Sequence, residues 1–233
     1  MSWARLEKGS EEISLIVLFL FLPRESHNNL RTIHHNHIGV KKEMPLAIIG
    51  TAGRKEDAAR LHIDMWRDIY ILVGRIIRDR KITHLISGGA AWADHLAVQL
   101  FNQGEVEKLD LYLPARWGTF AYEEGTGYGN QNPGGTSNYY HRKFSDRLGI
   151  ESLEEIQAAI VHGAQIHFDK GGFFGRNNLV AQNSDSVLAL TFGSHDYEGV
   201  WVDANAAGLK DGGTAHTWNQ CRHHEYVRHI TLR

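Results

Sequence analysis

Short apolar runs alternate with amphipathic stretches along most of this chain. Leu46-Ala-Ile-Ile49 is continuously apolar and ends in Gly50-Thr-Ala-Gly-Arg54, the pattern of a buried strand closed by a small-residue turn. After polar Lys55-Glu-Asp57, the residues Leu61, Met65, Ile69, Leu72, Val73, Ile76 and Ile77 recur at helical spacing and predict one long helix with a core-facing stripe. His84 to Ser87 predicts a second strand, and Ser87-Gly-Gly-Ala90 then removes side-chain bulk where the chain turns. A helix from Ala93 follows, with Leu96, Ala97, Leu100 and Phe101 on one face. Leu109 to Leu113, Ser186 to Thr191 and Tyr226 to Leu232 predict three more strands. A helical turn or two is expected after Phe173-Phe-Gly-Arg-Asn-Asn-Leu179, and a last helix opens at Gly212-Gly-Thr214 and runs to about Arg222. Strands alternating with helices predict an α/β fold with a mostly parallel sheet and helices on both faces.

The rhythm breaks over residues 118–170, where Gly125-Thr-Gly-Tyr-Gly129 and Asn132-Pro-Gly-Gly-Thr136 read as loop. Ser152 and Glu155 have the spacing of a capping box, predicting a helix to about Val161. Tyr122, Tyr128, Tyr139 and Tyr140 either close over a bound ring or pack this insertion onto the domain. The first 43 residues differ again. Ile13 to Leu22 is apolar but shorter than the roughly 20 residues that cross a bilayer, and Pro23 and a His-rich stretch follow. No positive start or A-x-A site marks a signal peptide. Residues 1–43 are therefore expected to be a poorly ordered extension, and 44–233 a single domain with an insertion at about 118–170.

Composition narrows the function. The 233 residues carry a formal net charge of −2 and no visible basic run, so a small-molecule partner rather than nucleic acid is expected, and no membrane. The single Cys221 excludes an intrachain disulfide and a multi-cysteine zinc site, which suits a reducing, cytoplasmic setting. Fifteen histidines without a paired cysteine or an H-E-x-x-H pattern read as surface or core imidazoles, so no metal is expected. Six tryptophans offer material for a homo-oligomer interface.

The glycine turns carry the candidate chemistry. A small-residue turn between a strand end and a helix start exposes N–H groups where a phosphate or carboxylate is favoured. The alternative is a tight turn and nothing more. Arg54 is either an anion partner or a surface arginine, and Asp94 either complements a helix dipole, holds a ribose hydroxyl or fixes the turn. Ser87 lacks the G-x-S-x-G elbow of a serine hydrolase. The turns after Ile49, after Ile86 and before Thr214 are expected to converge beyond the carboxyl ends of the strands.

Five stretches in this order resemble the SLOG superfamily, Rossmann-like nucleotide-binding domains that include LOG-type (lysine-decarboxylase-like) and DNA-processing A proteins; the nearest branch is the YspA-like one. They are Gly50-Thr-Ala-Gly-Arg54, Ser87-Gly-Gly-Ala-Ala-Trp-Ala-Asp94, Leu113-Pro-Ala-Arg-Trp117, Gly175-Arg-Asn177 and Gly212-Gly-Thr214. The resemblance covers about Pro45 to Leu232 without the insertion, and implies a Rossmann-like three-layer fold with a nucleotide or ADP-ribose-like ligand at the strand ends. By analogy, Gly50, Thr51, Ala52 and Gly53 belong to the ligand-binding set, Gly88, Gly89 and Ala90 present N–H groups, and Gly212, Gly213 and Thr214 wrap a phosphate. Arg54 and Arg176 supply charge, Asn177 and Asp94 orient polar groups, and Ser87, Trp117 and His216 complete the candidate ligand-binding set. On this reading Gly89→Asp abolishes binding with the fold retained. No further cofactor is implied. LOG-type phosphoribohydrolases carry a glutamate after their Gly-Gly-x-Gly-Thr turn, and here Ala215-His-Thr-Trp218 follows Thr214. Cleavage of a glycosidic bond needs such a carboxylate, for which Asp94, Glu123 or Glu124 would have to stand in. A binding or sensor module is the leading expectation, a nucleotide-processing enzyme the alternative, and a DNA-associated role the least favoured.

Overall fold

The computed structural model describes residues 44–168, 170–210 and 212–233; the extension expected over residues 1–43 lies outside them. Seven strands form one sheet: β1 (Leu46–Gly50), β2 (His84–Ser87), β3 (Lys108–Leu113), β4 (Gln165–Phe168), β5 (Ser186–Thr191), β6 (Tyr197–Gly199) and β7 (Tyr226–Thr231). Their order is β4-β3-β2-β1-β5-β7-β6. All neighbours run parallel except β6 and β7, which pair antiparallel. The five expected strands are present to within a residue or so. The two additional ones are the short edges β4 and β6, whose exposed residues lack the apolar signature of a buried strand. The order also fixes a reversal. From β1 the chain builds outward through β2 and β3 to β4, then returns to place β5 on the other side of β1. At such a switch point two successive connections leave in opposite directions and open a crevice at the carboxyl ends of the strands.

The helices are α1 (Asp57–Arg60), α2 (Ile63–Arg80), α3 (His95–Asn102), α4 (Pro133–Leu148), α5 (Ser152–Val161), α6 (Gly172–Gln182) and α7 (Gly213–Gln220). The long helix read from Lys55 onward is two pieces. Leu61 is extended and fully buried, and His62 caps α2 by accepting the Met65 N–H at 3.3 Å. Anchoring Leu61 in the core thus outweighs continuity of the helical stripe. The expected helix from Ala93 begins instead with a 3-10 turn, Trp92–Asp94. The loop-like stretch at Asn132-Pro133 is the start of α4: Asn132 accepts the Gly135 N–H at 2.9 Å and Pro133 occupies the first turn. Those residues are cap chemistry, which composition alone reads as loop. α5 forms as expected, but without the capping box. Ser152 is its first helical residue and its hydroxyl meets His141 Nδ1 at 2.9 Å, while Glu155 meets His95 Nε2 at 2.6 Å.

Alternation along β1 sends Leu46 and Ile48 to one apolar cluster and Ala47 and Ile49 to another. The first gathers side chains from α2, α3, α4 and α5, the second from α6 and α7. Phe144 of α4 is the insertion's anchor. It is fully buried, with ring centroids 5.0 Å from Trp66, 5.1 Å from Trp92 and 5.3 Å from His95, all near edge-to-face. Burying such a side chain stabilises by roughly 1.5–3 kcal/mol. The insertion is therefore part of the core rather than a free flap.

Candidate functional site

A cleft of about 640 Å³ opens at the switch point, within the range of small-molecule sites. Its floor is the end of β1, Ile49 to Ala52, with Thr191 from the end of β5. One wall is the start of α7, Gly212 to Thr214, and another is α6 through Phe173, Arg176 and Asn177. Close packing holds these together. A Cβ at Gly50 would lie 2.1 Å from the Leu190 carbonyl oxygen, so only glycine fits between β5 and the following turn. The Thr214 hydroxyl donates to the Gly50 carbonyl at 2.8 Å, and Asn177 Nδ2 donates to the Gly213 carbonyl at 3.3 Å. Gly212 precedes α7 at φ 134°, and among the described residues no side chain caps the helix. Its first-turn N–H groups thus lack a side-chain partner where the helix dipole is positive.

The second glycine turn is arranged differently from expectation. Ser87 Oγ donates to the Asp94 carbonyl at 2.9 Å and accepts the Gly89 N–H at 3.0 Å, while the Gly88 carbonyl accepts Arg176 Nη1 at 2.6 Å. The Gly89 carbonyl accepts both the Tyr122 hydroxyl and His141 Nε2. The turn's polar groups are turned inward, and of its residues only Ala90 reaches the cleft. Ser87, Gly88 and Gly89 build the wall behind it. Gly89 is at φ +63° and a Cβ there would lie 2.5 Å from Leu113 Cδ2. Gly89→Asp thus strains the fold itself, against the expectation that it would spare it.

Asp94 lies in the cleft, 6% exposed, with Oδ2 3.3 Å from Arg176 Nη1. Burial raises its carboxyl to about 6, against the opposing pull of Arg176 and of backbone hydrogen bonds from Ala90, Gly88 and Gly50. The turn amides that were expected to meet a ligand anion thus serve an anion the chain already carries. Arg176 is 8% exposed, and its Nε has no hydrogen-bond partner. Of the three candidate carboxylates only Asp94 lines the cleft; Glu124 accepts Asn138 Nδ2 at 2.9 Å elsewhere.

The rim carries charges of both signs and aromatic rings. Arg54 lies 4.9 Å from the Tyr140 ring centre and 5.5 Å from that of Phe173. Lys55 stands beside it, and opposite is Lys210, whose ammonium is 2.7 Å from both Glu56 Oε1 and Asp57 Oδ1. Asp57 in turn accepts the Thr51 hydroxyl at 2.9 Å. Of the insertion's tyrosines, Tyr140 lines the cleft, Tyr122 is buried against Gly89, and Tyr128 and Tyr139 are exposed. Three other candidates lie off the cleft. Gly53 packs on Trp92, Trp117 donates to Gln157 at 2.9 Å, and His216 meets Asn178 at 3.2 Å. Sequence reading missed Lys210, Glu56 and Asp57, although Lys210 stands two residues before Gly212 and Asp57 opens a helix after the first glycine turn. No metal-binding group of three His, Cys, Asp or Glu residues exists among the described residues, and no described helix is long and apolar enough to cross a membrane.

No family model matches the sequence. A solved structure of DNA processing protein A from Helicobacter pylori, described by its single-stranded DNA binding mode, aligns with 64% of this chain and 54% of its own length at 19% identity and a TM-score of 0.33. The expectation that nucleic acid is no partner rested on the net charge of −2 alone; it is withdrawn, since this neighbour's own description is of single-stranded DNA binding. An average over the chain conceals that Arg54, Lys55, Arg176 and Lys210 meet at one cleft, where Glu56, Asp57 and Asp94 offset part of their charge. An uncharacterized protein of Acanthamoeba polyphaga mimivirus is 33% identical over 188 residues, which are 76% of this chain and 91% of the viral protein. The chain belongs to the same family as this viral protein.

Proposed function

We propose that the cleft binds a nucleotide or a nucleotide derivative such as an ADP-ribose-like molecule, and that residues 44–233 form a single SLOG-type domain around it. The observation that carries this reading is the coincidence of the sheet's switch point with an uncapped helix N-terminus in one cleft. An anionic group would sit against Gly213 and Thr214, near Arg54 and Lys55, and a flat ring against Tyr140 and Phe173. The two apolar clusters on alternating strand residues support the three-layer reading. Cys221, fully buried with its thiol pushed up to about 12 by that burial, suits a reducing compartment.

A second reading, processing of the nucleotide, is favoured by one observation: a carboxyl that titrates at about 6 in the cleft can donate a proton near neutral pH. A thermal-shift screen against ADP-ribose, NAD, nucleoside monophosphates and a short single-stranded DNA, with mass spectrometry of each mixture, separates the readings. A ligand present at 100 times its dissociation constant stabilises by about 2.7 kcal/mol. A shift with the nucleotide intact supports a binding module, and a released base supports an enzyme. A shift with the oligonucleotide alone moves the function to DNA, and none at all refutes the proposal.

A further inference from the structure

Lys210 reaches across the cleft mouth. It lies in the loop that leads into α7, yet its ammonium contacts Glu56 and Asp57 at the opposite edge, each at 2.7 Å. The two carboxylates differ. Asp57 has a side chain 10% exposed and is tied to Thr51, whereas Glu56 has one 64% exposed, with Lys210 as its main partner beside a backbone N–H and the nearby charge of Lys55. Lys210 itself is 38% exposed, and its loop turns into α7 through Gly212, whose φ of 134° is a conformation reserved for glycine. Two further features mark this cleft as a place for an anion. Among the described residues α7 has no side-chain cap, and Arg176, more than nine-tenths buried in the same cleft, gives Nη1 to Gly88 and Asp94 but leaves its Nε unpartnered.

We propose that Lys210 is an anion-binding residue of the cleft, held by Glu56 and Asp57 until a phosphate at the start of α7 competes for it. This rests on the proposed nucleotide reading and adds how the site is regulated. Phosphate offers the ammonium a charge-assisted contact beside the helix N-terminus two residues away, in exchange for one exposed and one buried carboxylate. Exposed ion pairs are weak because water screens them, so the contact with Glu56 is the one given up. The carboxylates therefore act as competitors, lowering affinity and selecting ligands with enough negative charge to displace them.

The test is calorimetric titration of ADP into the wild type, K210M, E56Q and the double variant K210M/E56Q, with circular dichroism as the folding check. Loss of Lys210 should weaken binding about tenfold, and removal of the Glu56 charge should tighten it by roughly two- to fivefold. The double variant should come close to K210M, because the main partner of Glu56 is Lys210. If E56Q weakens binding or leaves it unchanged while the wild type binds, Lys210 is a staple of the fold and the proposal falls with the nucleotide reading intact. If the wild type does not bind ADP, the nucleotide reading fails first and takes the proposal with it. Should K210M not fold, E56Q decides alone, since its exposed side chain is outside the core.

Discussion

Asp94→Asn gives a pH dependence whose sign and size follow from the site. The folded carboxyl titrates at about 6, against an ordinary value of 3.8, because burial outweighs the help of Arg176 and the turn amides. Between these values the folded chain holds a proton that the unfolded chain has released. Stability from this group is therefore complete below about pH 4 and is lost as the pH rises through about 6. A displacement of about two pH units corresponds to roughly 3 kcal/mol. Asparagine keeps the shape and an oxygen to accept the turn amides, but does not titrate. Equilibrium urea denaturation of both proteins at intervals from pH 4 to 7.5 measures the difference. The stability of the variant minus that of the wild type should grow by roughly 3 kcal/mol toward neutral pH. Other titrating groups cancel in this difference. His141 and His224, depressed by burial to about 3 and about 4, oppose the trend equally in both proteins, because their stability is lost as the pH falls below their ordinary value. A gap constant across the range would show that Asp94 is an ordinary ionised carboxylate. A gap that narrows toward neutral pH would show that pairing with Arg176 outweighs burial.

Two other variants probe the frame. Phe144→Ala removes the ring on which Trp66 and Trp92 pack and should cost about 3–5 kcal/mol, read by denaturation with tryptophan fluorescence; a loss under about 1 kcal/mol would mean that the insertion does not share the core. Gly89→Ala places a Cβ 2.5 Å from Leu113 Cδ2 at φ +63° and should lower the melting temperature by several degrees before any ligand is added. An unchanged melting temperature would mean that the turn is free to relax.

The strands that the sequence reveals most clearly are those buried on both faces. Leu46 to Ile49 and Ser186 to Thr191 are buried along their length and read as unbroken apolar or small-residue runs. β4, with the sequence Gln-Ile-His-Phe, is largely exposed at the sheet edge and gives no such signal. The glycine turns were equally legible, but their roles were not. Whether a turn's N–H groups face a ligand or the protein depends on what meets them: Asp94 returns to the second turn and Ser87 within it takes the Gly89 N–H, while among the described residues no side chain caps the helix after Gly212. Lys210 escaped notice because its partners Glu56 and Asp57 lie 154 and 153 positions away, a separation that only the fold closes. Asn132-Pro133 misled for a local reason: the residues that begin a helix are the ones that begin a turn.

Hydrogen–deuterium exchange of the protein with and without the nucleotide that gives the largest thermal shift would locate the ligand directly. Protection should concentrate at residues 51–54 and 213–215, with lesser change around Tyr140 and Phe173 and none along β4. Protection confined to any other surface, or the absence of any nucleotide that shifts the protein, would contradict a nucleotide site at the switch point.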